Sequence, residues 1–227
     1  MSERPIIAIS DLHKIYRVGQ VDVPALRGVE LDVKPGEFVA IIGPSGSGKS
    51  TLFHIIGGLT PPTSGSVRVA DQDLSRLSDA GRTALRRNTV SFVFQKFNLL
   101  PNLTAADNIA VARHLSGKDH KDDPKFQEAL QMLGIAHRLH HKPAALSGGE
   151  QQRVAIARAI VTHPAILLAD EPTGNLDTQN SQAVLDLLRD LNQRLGQTIL
   201  MITHNPEAAA YGHSIVHMRD GRIVERT

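Results

Sequence analysis

The alternation of apolar and polar positions divides the chain into short and long segments. Short apolar runs between turn residues are typical of strands, and they occur at 6–9, 29–33, 38–42, 66–70, 90–95, 166–169 and 198–202. Longer segments with helix start or stop signals predict helices from Gly48 to about Leu59 and at 78–87, 104–115, 124–133, 151–162 and 180–195. The runs at 215–218 and 223–225 flank Asp220-Gly221, which predicts a closing hairpin.

The order of these elements indicates the fold class. Strands dominate up to Gln95, helices dominate from Phe97 to Thr162, and strands alternate with helices again from Ala165. An α/β fold with a helical insert is the simplest account of this order.

The segment from Gly43 to Thr51 joins a predicted strand to a predicted helix, which is the context of a phosphate-binding P-loop. Its glycines let backbone N–H groups approach phosphate oxygens. Lys49 can reach the β- and γ-phosphates, and the Ser50 hydroxyl can ligate Mg²⁺. The flanking strand and helix argue against a chance glycine-rich turn. The predicted nucleotide-binding residues are Gly43, Pro44, Ser45, Gly46, Ser47, Gly48, Lys49, Ser50 and Thr51.

Two carboxylates follow the apolar run 166–169. Ligands of open α/β sheets bind at the carboxyl ends of strands, so Asp170 and Glu171 are expected beside the P-loop. Asp170 suits Mg²⁺ coordination, and Glu171 can orient a water that attacks the γ-phosphate. The alternative is two solvated carboxylates that cap a strand.

A second anion site is predicted where Ser147, Gly148 and Gly149 open a helix with exposed N–H groups. An ordinary helix N-cap with a flexible hinge explains the same residues.

Composition narrows the class of protein. The net charge is only +2, aromatic residues make up 4%, and tryptophan is absent, which argues weakly against a nucleic-acid-binding protein. There is no cysteine, so no disulfide and no thiolate metal site are possible. The first residues lack the apolar segment of a signal peptide, and no apolar run approaches the ~20 residues of a membrane helix. We expect a soluble chain whose membrane work is done by a partner.

Four other features have plain interpretations from the residues alone. Tyr16 is expected to be a half-buried strand residue, and His204, after a strand, is more often structural than catalytic. A metal site among His137, His140 and His141 is conceivable, but a solvated basic loop is favoured because no carboxylate or cysteine lies near. The charge run from Lys118 to Lys125 is expected to be a solvated loop.

Together these motifs resemble the ATP-binding-cassette (ABC) ATPases over nearly the whole chain. The motifs that carry the resemblance are Gly43 to Thr51, Gln95, Leu146 to Gln152, Asp170-Glu171, Asn175-Leu176-Asp177 and His204. The resemblance implies a single domain at 1–227, with a P-loop NTPase (RecA-like) core at about 1–95 and 164–227. It also implies an N-terminal antiparallel β subdomain and an α-helical subdomain inserted at about 96–163.

The resemblance also implies roles for individual residues. Tyr16 would stack on adenine, and Gln95 would sense Mg²⁺ and the γ-phosphate. Glu171 and His204 would be catalytic, with His204 in contact with the γ-phosphate. The implied Mg²⁺-binding set is Ser50, Gln95 and Asp170. Ser147, Gly148 and Gly149 would contact the γ-phosphate bound by a second copy of the chain, and Asn175, Leu176 and Asp177 would lie at the dimer seam.

A narrower resemblance, at 93–101, 169–177 and 218–222, is to the branch that contains LolD, a lipoprotein-releasing ATPase, and MacB, an efflux ATPase. MacB carries a fused membrane domain, so this chain looks more like the stand-alone LolD type. The implied protein is a homodimeric ATPase that uses ATP and Mg²⁺ to power membrane subunits in a separate chain, for lipoprotein release or efflux. It would lie peripherally on the cytoplasmic face of the inner (plasma) membrane and bind no nucleic acid.

Two other functions fit the motifs less well. An FtsE-like cassette would couple its ATP state to cell-envelope machinery without transport. A cassette of DNA repair or translation would usually show tandem cassettes or long coiled-coil insertions, and the sequence has neither.

Overall fold

A computed structural model describes residues 4–117 and 123–227. Most of the charge run from Lys118 to Lys125 therefore lies outside the described residues, as do the first three residues of the chain.

A six-stranded sheet forms the centre of the fold, with the strand order β10-β9-β3-β8-β7-β6. Its strands are β3 (Phe38–Ile42), β6 (Val90–Phe94), β7 (Ile166–Asp170), β8 (Thr198–Ile202), β9 (Ser214–Arg219) and β10 (Arg222–Arg226). The pairs among β9, β3, β8, β7 and β6 are parallel, and β10 closes the edge as an antiparallel hairpin partner of β9. The short apolar runs predicted these strands because a parallel sheet buried on both faces needs few polar residues.

Helices connect the strands of this sheet. They are α1 (Lys49–Ile56), α2 (Asp79–Asn88), α3 (Ala105–Ser116), α4 (Pro124–Leu133), α5 (Gly148–Ile160), α6 (Thr178–Leu195) and α7 (Pro206–Ala209). The predicted capping box at Thr104 and Asp107 is confirmed at the start of α3, and Gly134 ends α4 in the left-handed conformation. Helix α1 ends at Ile56, three residues before the predicted end.

A four-stranded sheet, with the order β2-β1-β4-β5, packs beside the central sheet. Its strands are β1 (Ile7–Val18), β2 (Val21–Val33), β4 (Ser64–Val69) and β5 (Gln72–Asp73), and all their pairs are antiparallel. The predictions of 6–9 and 29–33 were too short for β1 and β2. Both strands continue into an exposed hairpin whose side chains show no clean alternation of apolar and polar residues.

The two faces of the central sheet are covered by different parts of the chain. On β3, Phe38 and Ala40 join a core with α3 to α6, whereas Val39 and Ile41 join a core with α1 and the antiparallel sheet. Successive strand residues point to opposite faces, so one strand contributes to both cores. The carboxyl ends of β3, β7 and β8 are thereby held together at one edge of the sheet. Among the residues described, no helix is both long and apolar enough to cross a membrane.

Candidate active site

The segment from Gly43 to Gly48 forms a tight loop between β3 and α1, as predicted. Gly43, Gly46 and Gly48 all have φ between 78° and 155°, a region in which side chains are strained. A Cβ at Gly43 would also overlap the carbonyl oxygen of Met218, and one at Gly48 would lie 2.7 Å from that of Ala25. These three positions therefore need glycine, because the loop backbone has positive φ there and, at Gly43 and Gly48, packs directly against neighbouring backbone.

The Lys49 ammonium group is folded across this loop. Its Nζ atom donates to the carbonyl oxygens of Gly43, at 2.7 Å, and Pro44, at 2.9 Å. Burial lowers the pKa of Lys49, while the charges of Glu171 and Asp170 oppose that shift. The lysine is thus a half-buried cation, placed between the loop and two carboxylates.

Asp170 is the last residue of β7, and Glu171 follows it directly. Burial, and then the charge of Glu171, raise the pKa of Asp170. Glu171 has φ of 48°, in the left-handed region, and its N–H donates to the carbonyl oxygen of Ile202 on β8 at 2.9 Å. A non-glycine residue in that conformation is strained unless its surroundings hold it.

His204 lies just beyond the end of β8. Its Nδ1 atom is 2.9 Å from Oε1 of Glu171. In the tautomer that carries its proton on Nδ1, His204 donates to this carboxylate oxygen. The residues alone favoured a structural role for His204, but the structure brings it to a predicted catalytic carboxylate.

These groups line one open cavity of about 390 Å³. The predicted site residues that line it are Gly43, Ser45, Gly46, Ser47, Gly48, Lys49, Ser50, Thr51, Asp170, Glu171 and His204. Ala25 and Ile202 also line the cavity and were not predicted. Nothing in the sequence marks Ala25, because it contributes through its place in β2 beside Gly48.

Six predicted residues lie outside the lining of this cavity: Tyr16, Pro44, Gln95, Ser147, Gly148 and Gly149. Tyr16 is half-buried on β1, where it pairs with Val23, and the Lys14 ammonium lies 4.9 Å from its ring centre. Tyr16 is therefore a half-buried strand residue, and its implied stacking on adenine stays a prediction.

Gln95 follows β6 and contacts the segment after β7. Its Nε2 atom donates to Asn175 Oδ1 at 3.3 Å, and Asn175 Nδ2 donates back to the Gln95 carbonyl oxygen at 2.9 Å. A Cβ at Gly174 would lie 2.6 Å from Gln95 Nε2, so glycine permits this close approach. The two loops are therefore joined beside Glu171.

Ser147 is the N-cap of α5 and forms a capping box with Glu150. Its N–H donates to Glu150 Oε2 at 2.8 Å, and Arg138 Nε donates to Glu150 Oε1 at 2.7 Å. The predicted N-cap is present and the Ser147 side chain is exposed, but the Ser147 N–H is occupied by Glu150. Ser147 thus lies on a rigid helix start that is separate from the cavity.

The three histidines before α5 do not gather a metal-binding set. His137 and His140 are exposed, and nowhere in the described ranges do three His, Asp or Glu residues group as metal ligands do.

A parallel sheet with a glycine-rich loop, a lysine and two carboxylates at its carboxyl edge defines a P-loop nucleoside triphosphatase. Residues 26–174 match the family model described as ABC transporter. The chain belongs to this family and is an ATP-binding, ATP-hydrolysing cassette.

Named relatives match nearly the whole chain. LolD 2 of Caulobacter vibrioides, a lipoprotein-releasing system ATP-binding protein, is 46% identical over 220 residues, which cover 96% of this chain and 96% of that protein. MacB of Chlorobium luteolum, a macrolide export ATP-binding/permease protein, is 47% identical over 220 residues, which cover 97% of this chain and 33% of that protein. The predicted resemblance to the LolD and MacB branch is confirmed.

A solved structure also agrees with the fold. The dimeric ATP-binding cassette MJ0796, in a post-hydrolysis state bound to ADP and Pi, is 39% identical and superposes with a TM-score of 0.86 over 97% of each chain. The predicted P-loop core with an added antiparallel β sheet is confirmed. The FtsE-like alternative is not favoured.

Proposed function

We propose that two copies of this chain bind two ATP–Mg²⁺ between them and drive a membrane permease carried on separate chains. This proposal rests on where the predicted site residues lie within one chain, in two separate places. The phosphate loop, Asp170, Glu171 and His204 share a cavity, whereas Ser147 caps α5 outside it. In this proposal, the Ser147 helix start of one copy lies over the cavity of the other, and the dimeric state of the related MJ0796 cassette supports such pairing.

The groups of the cavity suit a nucleotide triphosphate. The backbone N–H groups at the start of α1 and the Lys49 ammonium would bind the phosphates. Ser50 and Asp170, with Gln95 close by, would hold Mg²⁺, which neutralises charge on the phosphate oxygens when bound. Tyr16, on the exposed hairpin, would stack on adenine.

Hydrolysis would proceed by in-line attack of water on the γ-phosphate. Glu171 would accept a hydrogen bond from that water and orient it. The bond from His204 would hold the Glu171 carboxylate in place. The Ser147 hydroxyl and the Gly148 and Gly149 N–H groups of the second copy would stabilise the developing negative charge.

The helical insert is proposed as the part that meets the permease. The catalytic core would comprise about 1–95 and 164–227, and the helical subdomain about 96–163. Gln95 lies at the junction between them and contacts Asn175, which would lie at the dimer seam. The protein would act peripherally at the cytoplasmic face of the membrane, with lipoproteins or exported small molecules as the transported class.

Purification of the chain from native membranes in mild detergent tests this function. The expected result is co-purification of an integral membrane protein whose reconstitution in liposomes raises the ATPase rate and moves substrate. Co-purification of an envelope protein that modulates ATPase activity without any transport would contradict the transport function.

A further inference from the structure

The side chain of Gln152 connects three segments of the active site from inside the protein. It lies on α5, five residues after Ser147, and is fully buried. Its Nε2 atom donates to the carbonyl oxygen of Pro172 at 2.7 Å, with a longer contact of 3.4 Å to that of Phe94. One amide group thereby ties α5 to the ends of β6 and β7.

The two carbonyl groups flank the residues proposed for catalysis. Phe94 directly precedes Gln95, and Pro172 directly follows Glu171. Glu171 has its strained left-handed φ at this point, and its own carbonyl oxygen accepts from the Gly174 N–H at 3.0 Å. The bond from Gln152 fixes the Pro172–Thr173 peptide, one residue further on, so it limits how the backbone after Glu171 can turn.

Stability alone does not explain this amide. The Gln152 Oε1 atom is buried and has no hydrogen-bond partner, which is unfavourable for a polar group. The buried amide of Asn108 differs, because its Oδ1 accepts from the Leu100 N–H and its Nδ2 donates to backbone carbonyl oxygens. An apolar side chain of similar shape at 152 would avoid the unpaired oxygen.

We infer that Gln152 is a positioning residue for ATP hydrolysis. It holds the backbone beside Glu171 and Gln95 at a fixed position relative to the start of α5, so the Glu171 carboxylate and the Ser147, Gly148 and Gly149 segment keep the same spacing. This inference rests on the proposed role of Glu171. It predicts that loss of the Gln152 amide lowers turnover without weakening ATP binding, because the phosphate loop does not contact it.

The test compares Gln152→Met with Asn192→Leu in the full chain. Methionine keeps the length of the side chain but has no donor. Asn192 is a matched control, since it is also buried and its Nδ2 donates to the carbonyl oxygens of Gly36 and Gln197, before β3 and β8 and away from the cavity. Steady-state ATPase kinetics and thermal unfolding are measured for both variants, for Gln152→Asn, and for Glu171→Gln.

We expect the Gln152 variants to lose turnover but keep their thermal stability, and the Asn192 variant to do the reverse. Gln152→Met should lower kcat about 10- to 100-fold, with KM for ATP within about twofold and Tm within about 4 °C of wild type. Gln152→Asn, whose amide is one methylene too short to reach Pro172, should lower kcat in the same way. Asn192→Leu should lower Tm and leave kcat of the folded protein unchanged.

Two outcomes would overturn the inference. One is wild-type kcat in folded Gln152 variants beside an inactive Glu171→Gln protein. The other is failure of both Gln152 variants to fold while Asn192→Leu folds, which would make the role of Gln152 structural. Wild-type turnover in Glu171→Gln is distinguishable from both, because it contradicts the proposed function itself.

Discussion

His204 Nδ1 lies 2.9 Å from Glu171 Oε1, and the two side chains differ in exposure, at 74% for His204 and 18% for Glu171. The histidine thus covers the carboxylate from the solvent side. On the inner side, the Glu171 N–H is bonded to β8 through the Ile202 carbonyl oxygen. Glu171 is thus held through its side chain and its backbone by the end of β8 and the segment that follows it, which fixes the position of a group that orients a water molecule.

Replacing Glu171 by glutamine should separate ATP binding from hydrolysis. Glutamine has nearly the same shape, but it cannot accept a proton from the attacking water, so kcat should fall by about 100-fold or more. ATP affinity should remain, because Lys49 and the loop are unchanged, and the ATP-bound dimer should accumulate in sedimentation experiments. Glu207→Gln is the control, since Glu207 is an exposed carboxylate on the nearby α7. Wild-type turnover in Glu171→Gln would exclude the assigned role.

Removing the Lys49 ammonium should weaken nucleotide binding. In Lys49→Ala the loop loses both the cation and the bonds to the Gly43 and Pro44 carbonyl oxygens. Calorimetry should show ATP affinity at least about tenfold lower, because charged hydrogen bonds contribute about 1.5–3 kcal/mol each. Lys34→Ala, at an exposed turn before β3, should leave affinity unchanged. Equal ATP affinity in Lys49→Ala and wild type would contradict the phosphate contact.

The sequence predicted the central sheet and the loop well because both depend on local patterns. A buried parallel strand is a continuous apolar run, and a P-loop has fixed residue types at fixed spacing. The same reasoning missed the length of β1 and β2, since a strand in an exposed hairpin can carry polar residues at most positions. It also missed α7, although Asn205 and Pro206 provide an N-cap and an N1 proline.

Contacts between distant segments could not be predicted from patterns. Gln152 looks like one more polar residue in a helix, and only the fold places its amide against Pro172. Gly221 was predicted as a hairpin turn, yet its N–H also donates to the Ser47 carbonyl oxygen at 3.1 Å and so supports the phosphate loop. Such contacts depend on how strands β3, β7 and β9 are ordered in the sheet, which no local spacing specifies.

Asp170 should make the nucleotide-free protein less stable. Burial and the charge of Glu171 raise the pKa of Asp170 from 3.8, so folding favours its protonated form. The wild type therefore gains stability from this group as the pH falls towards 3.8, and loses it as the pH rises through the raised value in the folded protein. Asp170→Asn is neutral at every pH.

The Asp170→Asn protein should thus have a higher Tm than wild type at pH 7. This difference in Tm should shrink as the pH falls from the raised pKa of Asp170 in the folded protein towards 3.8. Its ATPase rate with Mg²⁺ should be lower at the same time. Asp71→Asn is the control, because Asp71 is a largely exposed partner of Arg68 and its removal should change Tm little. A Tm difference that is zero at pH 7, or constant with pH, would contradict the argument.

Ser147 allows a test of the dimer in which helix capping is controlled. Ser147→Arg places a large side chain at the proposed interface, but it also removes the N-cap of α5, which costs about 1 kcal/mol. Thr104 caps α3 with the same kind of capping box, so Thr104→Arg should lose similar stability without touching the proposed interface.

ATP-dependent dimerisation is measured by sedimentation, with both substitutions made in the Glu171→Gln protein. The dimer should be lost in Ser147→Arg and kept in Thr104→Arg. Monomeric Ser147→Arg should still bind ATP, because Ser147 lies outside the cavity of its own chain. An ATP-dependent dimer in Ser147→Arg would show that α5 does not meet the nucleotide of the second copy.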